Sequence, residues 1–450
     1  METTTSESNR PGVTILPGQS VEGTMGVPGS KSLAQRHLLA AFLAQGRTQV
    51  ECVPECGDVE ALLGALRCLA GDEWGQDGVY EGGGWASSEA HGERTTLSAG
   101  ESGTAARLLT ACLALGGPSR GPVHLAVEGS LALRCSRALI ESLVGAGAML
   151  GPPSVLQAAP DSSWPLDIDP VACPGQLTLR DPASSQEISA LLFALAARGG
   201  GRLTVRGSMP SEPYIRMTES VLADFGVQVD EVDGLFSVTG RLRAPAHALV
   251  VEPDASAAAV VLAAGCVSGG AVRIPGLTSS STQGDLRIIE YLRTFGCHGK
   301  VDSEEAMASG IPCRGGTINL SGEPDLAPVL AVVAAMACLH SGEPSRLEGL
   351  GTLEGKESPR LSGLAQTLRL VGWQVRTGAD WLSVDAAPIQ EPDGGGPVTL
   401  DPVGDHRMAF AGALLGLGYT GMRITGADCV GKSYPNFWAD LAQAGANIRV

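Results

Sequence analysis

Lysine occurs only four times in this 450-residue chain, at Lys31, Lys300, Lys356 and Lys432. Three of the four stand in Gly/Ser-rich segments at the start of a helix-like run. In Pro28-Gly29-Ser30-Lys31-Ser32, Pro and Gly end a strand, and Ser30 or Ser32 can cap the helix that follows. Arg36 comes about one and a half turns after Lys31. A cation in the first turn of a helix opposes the macrodipole, so Lys31 asks for an anion there. The plain alternative is a solvated first-turn lysine. The segment is not a Walker loop, because Gly-x-x-x-x-Gly-Lys is absent.

The same arrangement recurs. Gly100-Glu101-Ser102-Gly103-Thr104 offers bare amides before an apolar run, with Arg107 one turn on. Ser184-Ser185-Gln186 opens another helix, and Ser211-Glu212-Pro213-Tyr214 a further one. Asp325 stands at the start of a long Ala/Val helix, where an ordinary cap explains it equally well. Gly355-Lys356-Glu357-Ser358-Pro359-Arg360, Asp405-His406-Arg407-Met408-Ala409 and Gly431-Lys432-Ser433-Tyr434-Pro435 carry ionisable groups into helix starts. Any one of these could be a surface salt-bridge cluster. Together they read as sites for phosphate and carboxylate, which need cations, hydroxyls and amides converging.

Elements that could position so many helix starts are announced by a repeat. Helix-like runs end in glycine at Gly71, Gly147, Gly226, Gly296, Gly372 and Gly445, each followed by an extended apolar segment. Subtraction gives spacings of 76, 79, 70, 76 and 73 residues. A fixed period signals a repeated supersecondary unit, here long enough for a sheet and two helices. The expected fold class is α/β.

Composition agrees. The chain is 44 % hydrophobic but only 4 % aromatic, so the core is built from Ala, Val and Leu. A formal charge of −17, with no basic run, argues against nucleic acid or an anionic membrane as partner. Eleven cysteines without Cys-x-x-Cys pairs read as reduced thiols of a cytoplasmic protein, buried where they fall in apolar runs (Cys68, Cys112, Cys266, Cys338). Cys52 and Cys56 beside Asp58 lack the partners of a zinc site, and no metal is expected. Residues 1–11 read as a disordered tail, and Gly71 to Thr95 as an elaborated hairpin or loop. No stretch of about 18 uninterrupted apolar residues offers a membrane span.

In their order along the chain, Gly29-Ser30-Lys31-Ser32 with Arg36, Gly103-Thr104 with Arg107, Ser184-Ser185-Gln186 and Asp405-His406-Arg407-Met408-Ala409 resemble 5-enolpyruvylshikimate-3-phosphate synthases. The resemblance runs from Pro28 to Tyr434. It implies a two-lobed inside-out α/β barrel of six βαβαββ repeats, three per lobe, with the site between lobes that close on binding. One lobe would hold 1–28 plus 252–450, the other 29–251. It also implies a cofactor-free, metal-free monomer that moves the enolpyruvyl group of phosphoenolpyruvate to the 5-hydroxyl of shikimate 3-phosphate. Phosphate then leaves a tetrahedral intermediate.

Carried over by motif, Lys31, Asp325 and Glu357 are the catalytic residues. Lys31, Ser32, Arg36, Ser184, Ser185, Gln186, Ser211, Tyr214, Asp325 and Lys356 bind shikimate 3-phosphate. Lys31, Gly103, Arg107, Arg137, Gln186, Arg360, Arg407 and Lys432 bind phosphoenolpyruvate. The chain departs from the pattern at Glu101, where Asn is usual, at Ala34-Gln35, Thr352 and Pro359, and in the spacing around Arg137. A carboxylate at Glu101 either repels phosphoenolpyruvate or is neutralised by a nearby Arg. Two rivals share the resemblance: an enolpyruvyl transferase for UDP-N-acetylglucosamine, and an inactive scaffold. The Ser-Ser-Gln segment opposes the first, and the intact acid/base set the second.

Overall fold

All six helix-ending glycines adopt positive φ, from 78° at Gly226 to 111° at Gly445. That conformation is strained for any residue with a Cβ, and it turns each chain out of its helix. The computed structural model describes residues 12–83, 94–117, 121–156, 162–389 and 396–449. The expected tail at 1–11 lies outside them, as does 84–93 of the expected loop. The rest of that loop is a set of turns and the strand Val79–Glu81, which pairs with Arg47–Glu51.

The chain divides into two compact units, Gly29–Glu252 and Met1–Pro28 with Pro253–Val450. In the Gly29–Glu252 unit one sheet joins Gln176–Arg180 in parallel to Gly200–Arg206, which pairs antiparallel with Leu235–Thr239, and that with Gln228–Val232. Thr95–Ser98, Val123–Ala126, Leu166–Asp169 and Met149–Gly151 repeat the order and the sense of pairing. A third sheet is shorter, with Leu249–Val250 parallel to Arg47–Glu51 and Val79–Glu81 antiparallel. The two four-stranded repeats are thus βαβαββ, and among the described residues the third has three strands.

The other unit has three sheets of the same kind. One runs through Thr317–Asn319, Ser345–Glu348, Trp381–Ala386 and Gln374–Thr377. The N-terminal segment completes the other two: Glu22–Thr24 lies parallel to Ala271–Pro275, and Gly12–Leu16 antiparallel to Met422–Thr425.

Within every repeat the two helices differ. The second is one-faced: Glu212–Asp224 buries Ile215, Met217, Thr218, Val221 and Leu222. The first is buried nearly all round, as in Gly103–Ala114, Ser185–Arg198, Ala255–Val267 and His406–Gly418. An all-round apolar helix belongs in a core. Small residues let strands approach it; a Cβ on Gly416 would sit 2.8 Å from the Ile15 Cβ. The stretch Pro324–Ser341 has the length and mean hydropathy of a membrane span, yet 78 % of it is buried inside the fold, as a core helix is. All eleven cysteines are free thiols. Cys112, Cys266 and Cys338 are buried as expected, whereas Cys68 is exposed. Its helix buries Val59, Leu62 and Leu66, which puts position 68 on the outer face.

Candidate functional site

Most of the candidate side chains stand at or near helix N-termini. In Lys31–Leu43, Ser30 caps the helix and Lys31 is its first residue. The anion that Lys31 asks for is supplied in part by the protein: its Nζ lies 2.8 Å from Asp58 Oδ2, in the first turn of Gly57–Ala70. Asp58 was visible in the sequence only as a neighbour of two cysteines. Gln35, a departure from the family pattern, donates to the Asp58 carbonyl at 2.8 Å and to Ser102 Oγ at 3.1 Å, tying two helix starts together.

Arg36 is 1 % exposed, and each of its hydrogen bonds goes to a neutral oxygen: Thr218 Oγ1, the Ser32 carbonyl, Ser189 Oγ and the Tyr214 carbonyl. Burial pushes its pKa down to about 10, so the guanidinium stays charged at neutral pH, with no carboxylate at salt-bridge distance among the described residues. Arg107 repeats the pattern. Its bonds go to Ser136 Oγ at 2.7 Å, the Gly103 carbonyl at 3.0 Å and Gln186 Oε1 at 2.8 Å, and burial lowers it to about 10. Its guanidinium also lies over the Trp164 ring, 5.4 Å from the centroid.

Gln186 is held from both ends, since its Nε2 donates to Thr104 Oγ1 at 2.9 Å. Ser184 caps Ser185–Arg198, and Ser185 is buried. Ser211 precedes Glu212–Asp224 in the left-handed region, φ 50°, a conformation that costs energy for a serine. Tyr214 lies in the first turn of that helix, its carbonyl turned to Arg36.

Arg137 is not part of this cluster. It is the first residue of Arg137–Gly145, 55 % exposed, and pairs with Glu141 at 2.5 Å. Arg134 stands there instead. A Cβ on Gly103 would meet Arg107 Nη1 at 2.9 Å and Arg134 Nη1 at 3.4 Å, and Arg134 Nε is buried without a hydrogen-bond partner among the described residues. The helix starts one residue after Ser136, which faces Arg137 outward; the one-residue slip in local spacing was the only signal. Glu101 folds over Gly129, where a Cβ would fall 2.1 Å from Oε1.

In the other unit the cations meet acids. Arg360, the first residue of Arg360–Leu370 and 2 % exposed, grips Asp405 with Nε at 2.7 Å and Nη2 at 3.2 Å. It also reaches Asp325 Oδ1 at 2.9 Å and Glu357 Oε2 at 3.5 Å. Asp325 lies in the short turn Pro324–Leu326, two residues ahead of Ala327–Ser341, and further faces Lys356 Nζ at 3.4 Å and Arg407 Nη2 at 3.2 Å. Burial and the Arg360 and Arg407 charges lower the Lys356 amine, with Asp325 opposing them.

Glu357 has His406 Nδ1 at 2.9 Å and Lys432 Nζ at 3.1 Å. Burial opposes its ionisation, but His406, Arg360 and Lys432 outweigh that and hold the carboxyl well below its usual range. Lys432 ends the short turn Ala427–Lys432 rather than opening a helix. Asp405 caps His406–Gly418 by accepting from the Arg407 amide at 3.0 Å. Glu357, Asp405 and His406 bring donors within 4.8 Å of one another, but Arg360 and Lys432 already match the carboxylate charge.

Asp285, unmarked by the sequence, is 2 % exposed and accepts from Ser256 Oγ, which in turn accepts from Arg407 Nη2 at 3.4 Å. Burial raises its pKa to about 6, with Arg407 opposing and Asp325 and Asp254 reinforcing. A carboxyl raised in the folded state contributes stability that is complete below its unfolded value and is lost as pH rises through about 6. Asp285→Asn is therefore expected to gain on the native chain by up to about 3 kcal/mol between pH 4 and pH 8. Denaturant titrations of both proteins across that range check it; a pH-independent difference refutes it.

Three comparisons bear on these clusters. The family described as EPSP synthase (3-phosphoshikimate 1-carboxyvinyltransferase) matches residues 15–441. A 3-phosphoshikimate 1-carboxyvinyltransferase of Laribacter hongkongensis is 35 % identical over 444 residues, covering 95 % of this chain and 98 % of its own. One of Methanopyrus kandleri is 36 % identical over 440 residues, covering 95 % and 97 %. Among solved structures, EPSP synthase of Acinetobacter baumannii superposes with a TM-score of 0.74 at 23 % identity, covering 98 % of this chain and 100 % of that one. The enolpyruvyl transferase NikO of Streptomyces tendae gives 0.70 at 18 %, covering 98 % of each, and shares the fold.

Proposed function

Since this chain belongs to the EPSP synthase, or 3-phosphoshikimate 1-carboxyvinyltransferase, family, we propose the roles its clustered residues play. The enzyme transfers the enolpyruvyl group of phosphoenolpyruvate to shikimate 3-phosphate in aromatic amino acid biosynthesis. The acceptor atom is the 5-hydroxyl, and phosphate departs from a tetrahedral adduct.

The observation that carries the assignment of roles is the pair of buried guanidiniums, Arg36 and Arg107, that among the described residues hydrogen-bond only to neutral oxygens. Each has lost hydration without gaining a counter-ion through those bonds, so an arriving anion recovers the cost. Arg36 takes the shikimate carboxylate. Ser184, Ser185, Ser211 and Tyr214 take its phosphate, with Gln186 and Ser32 beside the ring. Arg107, with Arg134 in the place expected of Arg137, takes phosphoenolpyruvate, and Gly103 leaves room for it.

Asp325 accepts the 5-hydroxyl proton and, with Lys356, orients that hydroxyl. Arg360, Arg407 and Lys432 stabilise phosphoenolpyruvate and the departing phosphate, placing fixed charge where charge develops. Glu357 is ionised at rest, so it starts as a proton acceptor and Lys31 as the donor to the alkene carbon. An anion drawing charge from Lys432 and Arg360 raises the proton affinity of Glu357, which then exchanges protons during elimination. The enzyme works as a cytoplasmic monomer; eleven free thiols support a reducing compartment.

Phosphate release from phosphoenolpyruvate with shikimate 3-phosphate tests the whole reading; silence with that pair overturns it. Gly103→Ala tests the pocket. Its methyl would displace Arg107 Nη1, 2.9 Å away, and raise KM for phosphoenolpyruvate about tenfold, the scale of one charge-assisted hydrogen bond. A KM within twofold of the native value would place Gly103 away from that substrate.

A further inference from the structure

The helix Ser185–Arg198 carries an acid for which the reaction above has no use. Glu187 lies in its first turn and is 1 % exposed. Its Oε2 accepts the Ala183 amide at 2.9 Å, while Oε1 is buried and completes no hydrogen bond among the described residues. A carboxylate so placed is costly unless a cation faces it. The largest charge acting on it is that of Arg107, from the adjacent helix Gly103–Ala114. Conversely, Glu187 is the one carboxyl that acts on Arg107 among the described residues; its other charged neighbours are Arg134, which repels it, and the Cys135 thiol.

We propose that Glu187 is a proton-linked positioning residue for Arg107: its carboxyl competes with bound phosphoenolpyruvate for that guanidinium and yields by taking up a proton. The proposal rests on the reading of Arg107 as a phosphoenolpyruvate ligand. Burial pushes the Glu187 carboxyl up, while Arg107 and the amides of Ala183, Ser184 and Leu139 pull it down. An anion on Arg107 weakens that pull, so the carboxyl rises further in the complex. Linkage then requires that substrate binding takes up a proton between the free and bound values, and that affinity falls as pH rises through that window. Each unit of displacement corresponds to a tenfold change in affinity. The competition is electrostatic and needs no contact between Glu187 and substrate, so Glu187 is not a catalytic residue.

The test is Glu187→Gln, which keeps shape and removes charge. KM for phosphoenolpyruvate is measured for native enzyme and variant from about pH 5.5 to pH 8.5, and their ratio cancels the ionisation of the substrate itself. The expected native-to-variant ratio climbs with pH, by up to about tenfold across the range. A ratio that stays flat across pH overturns the proposal. Should E187Q fold poorly, Glu187→Met fills the same space without charge and carries the same expectation. Arg107→Gln separates the two levels of the claim. If R107Q leaves KM unchanged, Arg107 is not a ligand and the underlying reading fails. If R107Q raises KM while the E187Q ratio stays flat, only the role of Glu187 fails.

Discussion

Lys31→Ala is expected to lower kcat by about 10²- to 10⁴-fold, the contribution of a positioned proton donor. The side chain sits at the head of Lys31–Leu43, 16 % exposed, with its Nζ on Asp58. Truncation also strands Asp58, only 7 % exposed, which confuses a loss of chemistry with a loss of fold. Lys31→Arg resolves the two. Arginine restores a cation opposite Asp58, but its proton is held too tightly to be donated at neutral pH. K31R should therefore keep the native melting temperature and still lose at least two orders of magnitude in kcat. Turnover within tenfold of native in either variant would remove Lys31 from the proton-transfer path.

Arg360→Ala is expected to cost about 3–5 kcal/mol of stability, the range seen when a buried ion pair loses one partner. Three acids share this guanidinium: Asp405, which is wholly buried, Asp325 and Glu357. Without it, Asp405 keeps Ser358 Oγ at 2.9 Å and the Arg407 amide but no side-chain cation at hydrogen-bond distance among the described residues. The native Asp405 carboxyl is held below its usual value by Arg360 against its burial. In the variant that value rises, so the stability loss should be largest at neutral pH and shrink toward pH 4 as the carboxyl protonates. Arg360→Lys keeps one charge but cannot make the two-pronged grip, and should recover only part of the loss. Urea titrations at pH 4.5 and pH 7.5 check this; a loss below about 1 kcal/mol at pH 7.5 would mean the cluster does not depend on Arg360.

What was legible in the chain, and what was not, divides by the range of the interaction. Six glycines that end helices were readable because a left-handed C′ residue is a local requirement, and all six have positive φ. Ser30, Ser102, Ser184 and Asp405 were readable as helix starts for the same reason, each capping an amide two or three residues on. Those local signals fixed the repeat, the α/β class and the helix ends that carry the cations.

Only the tertiary structure decided the partners. Lys31 with Asp58 spans 27 residues, Arg107 with Gln186 spans 79, and Arg360 with Asp405 spans 45. Nothing between such residues in the chain marks them as neighbours, and a buried acid such as Glu187 or Asp285 looks like any surface acid until its helix is packed. Arg134 and Arg137 show the limit most sharply. They differ by less than one helical turn, yet one faces Gly103 and the other faces Glu141 and solvent. Composition and spacing are blind to that choice. It depends on the residue at which the helix begins, which packing against the rest of the unit settles.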